Sequence, residues 1–466
     1  MSQIDRLSEL ICTQQSKTSF TCGGSIAVRT DKNDPDVSWV ANPTEPIHSR
    51  PINIFWASKD KAEVNNVTLP IDGDGESDEK SKLRKLVGDC SPASFGRGLT
   101  DVLDETYRRA GKMNLEDFAS SFQPADFGLI QHIEQTLLPS VLSNKENSFQ
   151  AKGLIAELYK LNVYSGPSGH FKAHVDTPRS GSQIGSLVVS LPSKFSGGSL
   201  IVRHGAEQVD FDWAATSGSH VQWAAFYSDC EHEITKVTDG HRITLTYNLH
   251  AVDLVGGVLL ANPVIDPKTL PLYGLIESLM RSTEIAKGKR IGIYCSHAYA
   301  HTSNIAKKRL PHHLKGSDLI LYAISKHLGY SVSVLPVLDY DRGFDVVGTR
   351  LHPHRNIVNE LDDEEEDRYL NEIEPYWDHR RVSNIIWLNN HHHGEGALSY
   401  ATYGNQPSLG WVYSHAVIIV SDEGDGVTEV SETDSEEGIG SENDIGSRRD
   451  IGFRRKISSD EDTDSE

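Results

Sequence analysis

The chain has 466 residues, 37% of them hydrophobic, and a formal net charge of -21. That length exceeds what a single compact core takes up and points to more than one folded unit. So acidic a chain is a poor match for a phosphate backbone, which sets nucleic acid aside as a partner. The five cysteines are widely spaced and form no CxxC pair. They argue against a disulfide framework or a zinc ribbon and read as reduced thiols of a cytoplasmic or nuclear protein.

The first residues, MSQIDRLSEL, lack the apolar core of a secretory signal. No run approaches the roughly 18 uninterrupted apolar residues of a membrane span, so no membrane partner is expected. Residues 1–95 mix short apolar runs with polar loops, and the acidic stretch Asp72 to Glu79 reads as a loop. After Gly98 the pattern predicts a helix, with Thr100 as N-cap, Asp101 in its first turn, Arg108 and Arg109 in its last turn and Gly111 just beyond. A second helix is predicted from Gly128 towards Leu138, with Leu129, Ile130, Ile133 and Leu137 on one face.

From Gly153 the apolar period becomes alternating. Short strands are predicted at Leu158–Tyr164, His170–Asp176, Ser186–Leu191, Ser199–His204, Val209–Trp213, Val221–Tyr227 and Arg242–Leu249. Gly166-Pro167, Gly197-Gly198 and Asp239-Gly240 supply turns between them. Many short strands so separated suggest a barrel or a jelly roll. Residues 256–420 look mixed, with a helix at Leu319–His327, a strand at Val332–Val337 and a solvated acidic loop at Asp362–Asp367. The last 46 residues carry 16 acids against 5 bases, about half of the total imbalance. They hold almost no aromatics and are too polar to order by burying surface. The chain thus divides into four segments: 1–95, 96–255, 256–420 and 421–466.

The chemistry lies in the strand-rich segment. His174 and Asp176 are two apart in a strand, so both project from one face. His232, shortly after Val221–Tyr227, supplies a third ligand. Two histidines and one carboxylate leave one side of an octahedron open, as in non-haem Fe(II) oxygenases. Ten residues beyond comes Arg242, whose planar guanidinium pairs bidentately with a carboxylate, and Thr244 shares its face. Along Leu158–Tyr164, alternation puts Lys160, Asn162 and Tyr164 on one face and Tyr159, Leu161 and Val163 on the other. A polar face on a buried strand is costly unless it lines a wet or ligand-filled site.

These runs, YSGPSGHFKAHVDTPR, LPSKFSGGSLIV and FYSDCEHEITKVTDGHRITLTYNL, resemble the prolyl 4-hydroxylase type of 2-oxoglutarate/Fe(II)-dependent dioxygenase, and among these a group of fungal proteins. The resemblance is close over residues 153–250 and fades back to about Pro92. It implies an α+β protein with a double-stranded β-helix (jelly-roll) catalytic core and backing helices, followed by a mixed α/β region and a disordered tail. It also implies His174, Asp176 and His232 as iron ligands. Arg242, helped by Tyr164 and Thr244, would hold the distal carboxylate of the co-substrate 2-oxoglutarate. Ascorbate is a further cofactor compatible with such an enzyme. Many animal collagen-type members carry Lys where this chain has Arg242, so the resemblance does not extend to collagen-like substrates. Asp176 fills the position that related halogenases leave to a halide, and hydroxylation is the expected outcome.

Three functions stay open: hydroxylation of a protein side chain, proline among them; hydroxylation of a small metabolite; or a non-catalytic binding scaffold on the same fold. Arg179 reads as an exposed loop arginine rather than a substrate contact. His312-His313 and His391-His392-His393 read as polar loops rather than a second metal site. In the tail, Arg454-Arg455-Lys456 is a short basic cluster, and Ser458-Ser459 and Thr463 to Ser465 are acid-flanked hydroxyls suited to acidophilic kinases.

One further expectation comes from counting. If Asp239-Gly240 closed a two-residue hairpin, His232 and Arg242 would face opposite ways. A three-residue loop, Thr238-Asp239-Gly240, restores a common face and requires a left-handed residue with a bulge at Gly240. An irregular strand end near His232 would restore it too.

Overall fold

The computed structural model describes residues 2–17, 19–30, 47–59, 63–71, 77–97, 100–139, 141, 152–177, 179–253, 265–282, 289–300, 310–339, 346–348, 379–381, 385–390, 405 and 413–421. The chain divides into two units, Met1–Asp425 and Gly426–Glu466. The second unit lies outside the described residues, as do Asp362–Asp367 and His391–His393. The first is a mostly β structure with a β-sandwich at its centre.

Its elements, in order, are helix α1 (Gln3–Lys17), strand β1 (Thr21–Val28), helix α2 (Asp78–Asp89), strands β2 (Arg108–Arg109) and β3 (Gly111–Asn114), and helix α3 (Leu129–Leu137). Then come β4 (Lys152–Ser165), β5 (Gly169–His174), β6 (Gln183–Ser190), β7 (Phe195–Gly197), β8 (Leu200–His204), β9 (Glu207–Phe211), β10 (His220–Tyr227) and β11 (Glu231–Asp253). Helix α4 (Tyr273–Met280), strand β12 (Arg290–Ala300), helix α5 (Gly316–His327) and strands β13 (Ser331–Asp339) and β14 (Tyr413–Ser421) complete the labelled elements.

One sheet of the sandwich runs β1-β10-β6-β11-β4-β3. In the second, β5, β7 and β8 pair with β11, β2 pairs with β5, and β9 with β8. All of these pairs are antiparallel. Strand β6 (QIGSLVVS) is buried along its whole length, and β10 (HVQWAAFY) from Val221 onward. That is why they read as near-continuous apolar runs rather than alternating ones. Helix α3 packs on β1, β4 and β10 and buries Leu129, Ile133 and Leu137 as its spacing predicts; Gly128 caps it at φ +70°.

Three expectations are corrected. The helix predicted after Gly98 is absent: Thr100–Val102 is a short strand, a turn comes next, and Arg108 and Arg109 pair with Phe171 and His170 of β5. The cap-like residues there serve turns, and Asp104 accepts from the Thr106 N–H. Asp78 and Glu79 are not loop but the first turn of α2, capped by Ser77. Residue 95 is no structural boundary either, because β1 belongs to the main sheet through its pairing with β10.

The hairpin between His232 and Arg242 is also absent. Strand β11 is continuous and crosses from one sheet to the other. Its first half pairs with β5, β7 and β8, and its second half, from His241, with β4 and β6. Two irregularities replace the turn, one between Ile234 and Val237 against β5 and one between Val237 and Asp239 against β7. Each shifts the facing of the strand by one residue, so the two cancel. His232, Ile234, Arg242 and Thr244 therefore all face one cavity. Gly240 has the expected positive φ, +72°. A Cβ there would lie 2.2 Å from the Lys194 carbonyl oxygen, so close approach as well as backbone conformation demands glycine.

A second apolar core gathers Leu7 and Ile11 of α1, Ile276 and Leu279 of α4, Leu321 and Ile324 of α5, and the inner face of a six-stranded sheet built on β13-β14-β12. The helix and strand predicted at Leu319–His327 and Val332–Val337 fall within α5 and β13. All five cysteines are free, and Cys90, Cys230 and Cys295 are buried. Among the described residues no helix is long and apolar enough to cross a membrane.

Candidate metal and co-substrate site

His174 ends β5 and is registered against His232 on β11. Their rings lie 4.2 Å apart, centroid to centroid. Each ring nitrogen Nδ1 is tied to a backbone carbonyl two residues upstream, His174 to Lys172 at 2.9 Å and His232 to Cys230 at 3.1 Å. That fixes the proton on Nδ1 and leaves both Nε2 atoms as donors for a metal. Burial, then the neighbouring His232 ring, hold the His174 imidazole well below its ordinary pKa, so it stays neutral. Phe171 stacks on His174 at 3.6 Å and Phe226 lies 4.6 Å from His232, which locks both rings.

Asp176 lies two residues past the end of β5, so pleating alone does not orient it. The Ser186 hydroxyl donates to its Oδ2 and the Asn405 amide to its Oδ1. The Tyr413 hydroxyl lies 2.9 Å from the Asp176 carbonyl and 2.9 Å from that of Ser228. Asp176 Oδ1 is 3.7 Å from His232 Nε2. One ligand atom from each of His174, Asp176 and His232 falls within 4.8 Å of the other two, and all three residues are buried.

At the other end of the same cavity is Arg242, fully buried at 0% exposure. Among the described residues none of its three guanidinium nitrogens has a hydrogen-bond partner. Its surroundings are aromatic: Trp213 at 5.2 Å, Tyr164 at 5.8 Å and Phe195 at 6.0 Å from the guanidinium carbon to the ring centre. Burial lowers its pKa to about 10, which still leaves it charged at neutral pH. Tyr164 pairs directly with Arg242 across β4 and β11, and Thr244 with Asn162. At Gly198, with φ +68°, a Cβ would stand 3.3 Å from the Arg242 Cδ, so the Gly197-Gly198 turn makes room for the arginine stem. The cavity is lined by all six residues singled out in the sequence: His174, Asp176, His232, Arg242, Tyr164 and Thr244.

Two features of the wall differ from the alternation. Lys160 and Asn162 line it as expected, but so does Tyr159. A bulge between Leu158 and Lys160 breaks the pairing with β11 and turns Tyr159 inward. Arg179 is half-buried rather than exposed, and its guanidinium lies 4.0 Å over the Tyr159 ring.

Sequence reasoning missed Ser186, Asn405 and Tyr413, which hold Asp176, and also the buried Asp229. Asp229, three residues before His232, accepts from the Lys315 ammonium at 2.6 Å, from His297 Nδ1 at 3.0 Å and from the Ala298 N–H at 3.0 Å. Burial alone would raise its pKa, but Lys315 and then His297 hold the carboxyl well below the usual range. His204, Asp229 and His297 also converge within 4.8 Å. There the Lys315 ammonium already supplies the positive charge a metal would bring.

Residues 159–250 match the family model described as the 2OG-Fe(II) oxygenase superfamily. No curated protein matches the chain. Among solved structures, a Pseudomonas putida prolyl-4-hydroxylase is 18% identical, covering 37% of this chain and 82% of that one at a TM-score of 0.24. A 2OG-Fe(II) oxygenase family oxidoreductase from Burkholderia pseudomallei is 13% identical, covering 38% and 80% at 0.23. A prolyl hydroxylase from Trichoplax adhaerens, in complex with a hypoxia inducible factor peptide fragment, is 14% identical, covering 34% and 70% at 0.22. With a His-Asp-His cluster inside the matched segment, residues 159–250 belong to the 2OG-Fe(II) oxygenase superfamily.

Proposed function

We propose that this chain is an Fe(II)- and 2-oxoglutarate-dependent hydroxylase with a double-stranded β-helix core. The observation that carries the reading is the two-ended cavity, with a ligand triad at one end and a buried guanidinium without an anion at the other. The donor set fits Fe(II), with two imidazole Nε2 atoms, one carboxylate and a polar space beside them. The orphaned guanidinium fits the distal carboxylate of 2-oxoglutarate, because a buried cation without a partner is costly and a carboxylate is its natural complement.

In this reading His174, Asp176 and His232 hold the metal. Arg242 binds the co-substrate carboxylate, with Tyr164 and Thr244 beside it. When bound, iron and 2-oxoglutarate together activate O₂, so that 2-oxoglutarate leaves as succinate and CO₂ and one oxygen atom enters a substrate C–H bond. Ser186 and Asn405 fix the Asp176 carboxylate, and Phe171 and Phe226 fix the imidazoles. The aromatic surround of Arg242 keeps water from the ion pair it would form.

Replacing Asp176 by Ala removes the anionic ligand. Succinate release should fall to background and bound iron should drop from one per chain, with the thermal transition retained. Succinate release at the wild-type rate in that variant would sink the proposal.

A further inference from the structure

Charge in the cavity does not balance once the proposed cofactors are counted. Among its lining residues are three cations, Arg108, Lys160 and Arg242, against one carboxylate, Asp176. Fe(II), Asp176, Arg242 and a doubly charged 2-oxoglutarate sum to zero. Arg108 and Lys160 are then left without a counterion, in a chain that is otherwise strongly acidic.

Neither residue has a carboxylate partner elsewhere among the described residues. Arg108 is 4% exposed. It donates to the Ser94 carbonyl at 2.7 Å and the Asn162 amide oxygen at 2.9 Å, both neutral, and its Nε has no partner. Its guanidinium lies 4.3 Å over Phe171, whose ring also stacks on that of His174, so this charge stands at the metal end. The Lys160 ammonium meets the Tyr159 ring at 4.4 Å and no hydrogen-bond or ion-pair partner among the described residues. Lys112, which donates to Ser94 Oγ at 2.8 Å, adds a further positive charge nearby. The buried Tyr159 hydroxyl is unpartnered too. The bulge that turns Tyr159 inward thus sets an unsatisfied hydroxyl beside a half-buried ammonium, next to a buried arginine. Val188, Leu200 and Ile234 make the adjoining wall apolar.

We propose that the primary substrate is an acid, presenting a carboxylate to Lys160 and Arg108 while an apolar portion lies against Val188, Leu200 and Ile234. This rests on the hydroxylase reading above. It makes Lys160 the residue that selects substrate, and Arg242 the residue that selects co-substrate.

The test uses the full chain loaded with Mn(II), a redox-quiet stand-in, and saturating 2-oxoglutarate. Calorimetric titration of 2-oxoglutarate comes first, and failure to bind it would count against the hydroxylase reading. Two matched probe pairs are then titrated, hexanoate with hexanamide and acetyl-Pro-Glu-amide with acetyl-Pro-Gln-amide. The acid of at least one pair should bind about tenfold or more tightly than its amide, the worth of one charge-assisted contact. Lys160→Gln should bring that ratio near one, and Lys160→Arg should keep it. Preference confined to hexanoate identifies a free small acid, and preference for the peptide identifies an acidic protein segment. With 2-oxoglutarate bound, the proposal is overturned by equal affinity of acid and amide, by no binding of either acid, or by a preference that survives Lys160→Gln.

Discussion

Arg242 pays its desolvation cost in the free protein without recovering it, since its guanidinium is fully buried and unpartnered. Arg242→Met keeps the stem and removes the charge. It should therefore stabilise the protein without ligands, by about 1–3 kcal/mol. In the wild type, 2-oxoglutarate at a hundred times its Kd should add about 2.7 kcal/mol, and in the variant nothing. Thermal melts with and without 2-oxoglutarate read both effects, and a variant less stable than the wild type would show Arg242 to be partnered. Lys160 behaves differently with pH. Burial first, then Lys112 and Arg108, lower its pKa from 10.5 to about 7, with Asp101 offsetting them slightly. Between those values the unfolded chain holds a proton that the folded chain releases, so stability rises with pH across the window and the full cost is present below about 7. Lys160→Met removes that cost. Its thermal transition should exceed that of the wild type most at pH 6, and the difference should fade towards pH 10. A difference independent of pH would contradict the partial desolvation of this ammonium.

At the scale of elements, the bent strand β11 decides whether the two ends of the site cooperate. Gly240→Ala meets both a left-handed backbone and the Lys194 carbonyl. It should destabilise by about 2 kcal/mol or more. Because Arg242 lies only two residues further on, 2-oxoglutarate affinity in calorimetry should fall with it. Unchanged affinity in a folded variant would separate the bulge from the placement of the arginine. This strand also marks the limit of what the sequence makes legible. The facing of His174, Arg242 and Thr244 is legible because it comes from spacing along β-strands, whereas Asp176, beyond the end of β5, is oriented by Ser186 and Asn405. Gly240 is legible because a positive φ is needed somewhere between His232 and Arg242. The continuous strand is not, since Asp239-Gly240 is as good a hairpin signal as a bulge. Nor is the Tyr159 bulge, which contains no glycine to announce it. Thr100 to Gly111 has plausible helix caps, but buried Arg108 and its pairing with β5 prevail over local preference.

For the whole molecule, the β-sandwich does not stand apart from the C-terminal half of its compact unit. Tyr413 reaches the Asp176 and Ser228 carbonyls, Lys315 pairs with Asp229, and the Gly316 N–H donates to the Tyr227 hydroxyl at 3.0 Å. These contacts join residues 86–237 positions apart, and no periodicity or spacing encodes such partners. Stopping the chain after Asp253 would leave the buried Asp229 without Lys315, a loss of about 3–5 kcal/mol by itself. Such a protein should neither bind iron nor show a cooperative transition. A chain stopped at Asp425, the end of the first compact unit, should keep both its transition and succinate release. Loss of the transition there would give the last 41 residues a structural role.

His232, the proposed iron ligand, and Arg242, which would take the co-substrate's far carboxylate, sit ten residues apart on one unbroken backbone. Their separation is thus a property of a single strand, braced by both sheets, and not of two loops that can drift. Such a strand works as a gauge. A diacid anchored on Arg242 reaches the triad only if its carbon chain has the matching length. Inserting or deleting one residue between the two positions would turn one of them away from the cavity. Inserting or deleting two would restore the facing but recalibrate the length accepted.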